Sequence, residues 1–170
     1  MKRYLVPALF AAVTVCQGQH DDMASCPMHQ QHMKQKAVES RGDHAMGFSH
    51  EKTTHHFRLL GDGGAIEVEA NDAADTANRD RIRTHLTQIA EMFTAGNFDT
   101  PLFIHGQMPA GVPEMKRLRD VIGYRFESTA QGGRVRITAR SPEAVQAVHE
   151  FLKFQITDHH TGDPLTAPGR

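Results

Sequence analysis

Apolar residues along this chain switch between two periods. From Thr53 they alternate: His55, Phe57 and Leu59 fall on one side of an extended segment, and after Gly63-Gly64 the residues Ile66, Val68 and Ala70 alternate with Glu67 and Glu69. A period of two on both sides of a glycine turn predicts a β-hairpin with one buried face. The period then lengthens, with Ile82, Leu86, Ile89 and Phe93 at helical spacing. Asn71 and Asp72 before this run are suited to cap a helix, and Gly96 after it is suited to end one. The order then returns: Tyr124 and Phe126 on one face, a Gly132-Gly133 turn, and Val135, Ile137 and Ala139 alternating with Arg134, Arg136 and Thr138. Ser141-Pro142 opens a second helix.

The two runs align. Phe57 stands six residues before Gly63 and Phe126 six before Gly132, and Ile66, Val68 and Ala70 match Val135, Ile137 and Ala139. With the second copy shortened by three residues, Ile82 and Leu86 match Val148 and Leu152, and Gly96 matches Gly162. We read residues 53–163 as a duplicated ββα domain, with repeat one over 53–96, an insertion over 97–121 and repeat two over 122–163. The expected fold is α+β: a four-stranded antiparallel sheet with both helices on one face. Glu67 and Glu69 are expected to answer Arg134 and Arg136 across neighbouring strands, each pair contributing roughly 0.2–1 kcal/mol. The insertion is broken by Pro101, Pro109 and Pro113, the last suited to start a short helix through Met115, Leu118 and Val121. The second main helix carries an extra apolar stripe, Ala144, Ala147, Phe151 and Phe154, opposite Val145, Val148, Leu152 and Ile156. Such a helix is buried on two sides. The insertion, the N-terminal tail or a second subunit must cover the stripe, and a homodimer is the expected cover. Residues 164–170 read as a disordered C-terminus.

The first nineteen residues change the picture of where this domain works. Lys2 and Arg3, an apolar run from Tyr4 to Val15 and the small or polar Gln17, Gly18 and Gln19 form the three-part pattern of a signal peptide. The run is shorter than the ~20 residues that cross a bilayer. Export to the periplasm or the extracellular space is expected, with cleavage after Gly18 favoured over a lipoprotein acylated at Cys16. Residues 20–52 lack aliphatic periodicity and read as a flexible tail. A formal net charge of −1 offers no basic footprint for nucleic acid.

Candidate chemistry is concentrated in that tail. Seven of the 12 histidines and four of the 8 methionines lie between His20 and His56, together with Cys26. Thiolate and thioether sulfur favour Cu(I), and imidazole suits copper and zinc alike, so copper is the expected ion and zinc the next. Cys26-Pro27-Met28-His29 resembles the Cys-Pro-Met-His core of the heavy-metal-binding modules of bacterial copper and heavy-metal efflux proteins. That resemblance implies Cys26, Met28 and His29 as ligands, and an efflux or envelope protein is the expected partner. His32 and Met33 extend the set.

A second candidate site joins His85 and Met92 on the first main helix to His105 and Met108 in the insertion, against a reading of these as core side chains. His55 is read as packing, and His159-His160 as favourable charge at a helix end. There is no Gly-x-Ser-x-Gly, His-Glu-x-x-His or phosphate-loop motif. The expected function is metal binding or sequestration. The alternatives are an interaction or small-ligand domain with a passive tail, and a metal-dependent hydrolase in which Glu114 or Asp120 joins His85 and His105.

Overall fold

The computed structural model describes residues 26–169. The expected signal segment, Cys16 and residues 20–25 lie outside the described residues. Five helices, α1 (Pro27–Met46), α2 (Thr76–Thr94), α3 (Asp99–His105), α4 (Val112–Arg117) and α5 (Pro142–Asp158), accompany four strands. The strands β1 (Thr53–Leu60), β2 (Gly63–Ala70), β3 (Ile122–Ser128) and β4 (Gly132–Ala139) form one antiparallel sheet in the order β1-β2-β4-β3. The fold is therefore α+β, as the two periods predict. Among the described residues no helix is long and apolar enough to cross a membrane.

The registers follow the alternation. Phe57 lies opposite Ile66 in the first hairpin, and Phe126 lies opposite Val135 in the second. Phe57, Leu59, Val68, Val135 and Ile137 form one core with Ile82 and Leu86 of α2 and Val148 and Leu152 of α5. The other face is polar, and its charges pair differently from the sequence expectation. Glu67 does stand opposite Arg134, but the Arg134 guanidinium turns to Glu127 at 2.6 Å. Arg136 stands opposite Ala65 and reaches Asp62 at 2.5 Å. Each arginine has a carboxylate in easier reach than the glutamates of β2. The N-cap of α2 is also displaced: Asp75 accepts from the Asn78 amide, while Asn71 bonds to Thr54 and Glu51. Gly96, in the left-handed region at φ 76°, ends α2 as expected.

The stretch read as a flexible tail is largely α1. Pro27 sits in its first turn and Gly47, at φ 75°, closes it. The helix escapes detection by periodicity because it packs through so few residues, chiefly Val38 and Gly42, followed by Phe48, which enters the core. Arg41 donates to the Ile104 carbonyl at 2.7 Å and Lys34 reaches Asp158 at 2.9 Å. The C-terminal residues are likewise anchored: the buried Asp163 carboxylate accepts from the Phe57 amide at 2.9 Å and from Thr161 at 2.8 Å, and Ala167 packs against the core. These bonds hold the last segment along the edge of β1.

The extra stripe of α5 is covered from within the chain. Ala144, Ala147 and Phe151 are buried, and Phe154 packs edge-on against the His105 ring at 5.0 Å. The insertion supplies this cover, so burying the stripe does not require a second copy. The close fit depends on Gly111, whose φ is +80° and whose missing Cβ would stand 2.2 Å from the Ala147 carbonyl oxygen. Changing Gly111→Ala should therefore cost about 1–3 kcal/mol through backbone strain and overpacking. A urea titration reads this as a lower midpoint, and an unchanged midpoint would show that α4 does not sit as tightly on α5.

Candidate functional site

Two places bring chemistry-bearing side chains together. The first is the N-terminal half of α1, where Cys26, Met28, His29, His32 and Met33 are all exposed; Met28 keeps 80% and Met33 52% of its surface in solvent. At 100° per residue, Met28, His29, His32 and Met33 fall within an arc of about 140°. That arc is centred roughly 130° around the helix from the packed Val38 and Gly42. Met28 and His32 are spaced i,i+4, as are His29 and Met33, a separation of about 5–6 Å between Cβ atoms. Cys26, a free thiol, stands at the N-cap, three residues before His29. The side chains share a face without converging: among the described residues no three His, Cys, Asp or Glu side chains are grouped so as to hold a metal ion.

The second place is a hollow between the sheet, α2, α3 and α5, with about 70 Å³ of free space. Its apolar wall includes Phe57, Ile66, Val68, Leu86, Phe93 and Phe151, and its polar groups are Thr100, Gln155 and four histidines, His55, His85, His105 and His159. His55 and His159 stack in parallel, ring centroids 6.2 Å apart with 2° between planes. His159 also stacks on Phe57 at 5.5 Å and meets His105 edge-on at 4.9 Å. Phe48 bridges the other pair, 6.3 Å from His55 and 5.8 Å from His85.

Burial, and then the neighbouring His85, push the His55 imidazole down to about 4. Burial brings His85 to about 4, and burial with His105 and His55 nearby brings His159 to about 3. At neutral pH these three rings are uncharged and behave as aromatic wall. His105 is differently placed. Its Nδ1 lies 2.6 Å from Asp158 and its Nε2 lies 2.9 Å from the Gln155 side-chain oxygen. Both of its ring nitrogens are therefore engaged by neighbouring side chains. Burial alone would raise the Asp158 carboxyl, but hydrogen bonds from His105 and Lys34 outweigh it and hold the group below the usual range.

The core set expected from sequence is not drawn to one centre. Both ring nitrogens of His105 are engaged, Met108 is 43% exposed, the Met92 sulfur accepts from Thr100 at 3.9 Å, and His85 faces Phe48. The expected carboxylates lie on the surface: Glu114 pairs with Arg117 at 2.6 Å, and the Asp120 side chain is 93% exposed. Sequence reasoning missed His159, whose ring points inward where a helix-end charge was expected, and it missed Gln155. A signal was present. Ala147, Phe151, Gln155 and His159 continue the extra stripe of α5 at intervals of four.

Comparison with family models, curated proteins and solved structures finds no match for this chain.

The buried rings fix a pH dependence and its sign. Their folded values lie below the value of about 6.5 for a free imidazole, so between the two the unfolded chain binds more protons. Stability is complete above pH 6.5 and falls as the pH drops toward 4. The urea midpoint should decrease steadily between pH 6.5 and 4.5, above the range where most carboxylates titrate. His159→Phe, which keeps the ring stack and removes one titrating group, should flatten the decrease. A midpoint that does not move over this range would show the rings to be hydrated.

Proposed function

We propose that this protein is exported and captures a soft metal ion, Cu(I) first and zinc second, on the exposed face of α1. The observation that carries this reading is the placement of Met28, His29, His32 and Met33 on one solvent-facing arc of a helix, with Cys26 at its start. Cys26, Met28 and His29 supply a thiolate, a thioether and an imidazole, the donor types that suit Cu(I). His32, one turn beyond Met28, and Met33, one turn beyond His29, extend the face into further overlapping donor sets. The ligands are exposed and not locked into hydrogen bonds with the core, so their rotation toward an ion leaves the packed half of α1 undisturbed.

The positive end of the helix dipole opposes a cation there, but by only about 0.3–1 kcal/mol. Ligation by thiolate and imidazole in small zinc peptides is worth about 10–16 kcal/mol, so the dipole does not decide the outcome. The bound ion would stay open to solvent, which suits transfer to an efflux or envelope protein better than permanent storage. The same exposure offers no enclosed centre for activating water, and the reading is therefore of a binding protein.

The test is an anaerobic Cu(I) titration against a competing chelator. It compares the exported chain with a variant carrying Cys26→Ser, Met28→Leu, His29→Gln, His32→Gln and Met33→Leu. These substitutions are all on exposed positions, whereas deleting residues 20–50 would also take Val38 and Phe48 from the core. The variant should bind at least about a hundredfold more weakly, equivalent to ~2.8 kcal/mol at 1.4 kcal/mol per decade. Equal binding by the two proteins, or no binding by either, would overturn the proposal.

A further inference from the structure

Gln155 presents a buried donor with nothing to donate to. The residue is 4% exposed, its side-chain oxygen is occupied by His105, and its Nε2 has no hydrogen-bond partner. It forms part of the wall of the 70 Å³ hollow. A buried amide donor left unpaired is costly enough that native proteins supply a partner from protein, water or ligand. In the amide orientation that accepts from His105 Nε2–H, no protein group supplies one.

The remaining wall limits what the partner can be. Ile66, Val68, Leu86, Phe93 and Phe151 are apolar, and His105 is matched by Asp158. No unmatched charge faces the space, so an ion entering it would lose hydration without compensation. Free space of this size has room for a compact body, and a second hollow of about 260 Å³ shares Met46, His55 and His159 with it as a common wall. Met46 is an unbranched, adaptable side chain, suited to yielding to a guest larger than the inner space alone.

We infer that this hollow is a binding site for a small uncharged molecule with an apolar body and one hydrogen-bond acceptor, of ketone, ether or phenol type, with the acceptor on Gln155 Nε2. The site is separate from the metal-capturing face of α1 and does not depend on it. The apolar body replaces water against the wall of β2, α2 and α5, and the acceptor satisfies the amide. Selectivity rests on that single bond. A neutral hydrogen bond is worth about 1 kcal/mol net, so a ketone should be preferred to a hydrocarbon of similar size by about fivefold.

The experiment uses the ¹⁵N-labelled exported chain, titrated with cyclopentanone, phenol and benzene and followed by the Gln155 side-chain amide resonances. Cyclopentanone and phenol should shift that amide pair and bind about fivefold more tightly than benzene, and Gln155→Met should abolish the preference. Should Gln155→Met fail to fold, the amide shift in the unaltered protein decides by itself. The inference is overturned if none of the probes moves the amide pair, if benzene binds as tightly as cyclopentanone, or if a long-lived water remains on Gln155 at saturating probe.

Discussion

Helix α5 presents apolar residues on two sides, and surface of that kind is stable only when both sides leave water. Val148, Leu152 and Ile156 take one side into the core above the sheet, and Ala144, Ala147 and Phe151 take the other beneath the insertion. Removing a side chain such as Phe151 from water stabilises by about 1.5–3 kcal/mol. The solvent-exposed Lys34 in its bridge to Asp158 adds at most about 1 kcal/mol. Apolar burial therefore sets the order of dependence: the sheet holds α5, α5 holds α3 and α4, and α3 offers the Ile104 carbonyl on which Arg41 of α1 docks. His105 reaches Gln155 and Asp158 only because α3 is pressed into place this way.

The hairpins and helices α2 and α5 were legible because each buries a continuous stripe, and a stripe leaves a period. Phe57, Ile66, Val135 and Ile137 could be assigned to the core from alternation alone, as could Ile82 and Leu86 from helical spacing. Where burial is sparse the signal fails. Helix α1 is attached through Val38, the small Gly42 and the following Phe48, too few for a periodicity, so its polar composition read as a tail. Helix α3 was hidden by Pro101, which sits in the first turn, where a proline without an amide hydrogen costs little. The donors on α1 could be listed from sequence, but their shared arc could not, since it exists only once residues 27–46 are helical. Gln155 and His159 were overlooked for the opposite reason. Polar residues inside an apolar stripe look like its end.

The 12 histidines of the sequence fall into groups with opposite physical requirements. His29 and His32 stand in water, where a lone pair is available to an incoming ion. His55, His85 and His159 are held as neutral rings among Phe48, Phe57 and one another, where taking up a proton or an ion would place charge against apolar wall. His105 is fixed at both nitrogens. His56 contacts the Asp163 carboxylate at 2.9 Å and helps to hold the C-terminal segment on β1. Counting imidazoles in the sequence treats these as equivalent ligands, and burial separates them.

If α1 captures an ion as proposed, the helical state of residues 27–46 alters the physics of that capture from what a flexible tail would imply. Ordering a disordered segment around an ion costs roughly 1–2 kcal/mol for each backbone residue fixed. Five ligands spread from Cys26 to Met33 in a coil would meet that cost along the whole stretch at the moment of binding. In α1 the backbone is already ordered through its continuity with the packed turns around Val38 and Gly42, so binding fixes mainly side-chain torsions. The same rigidity restricts which donors meet: His29 can join Met33 or His32 on the helix surface, and Cys26 can join His29, whereas Cys26 and Met33 are about two turns apart and do not share one small ion. On the proposed reading, capture on α1 would be a choice between overlapping donor sets along one face, each held by neighbours three or four residues apart.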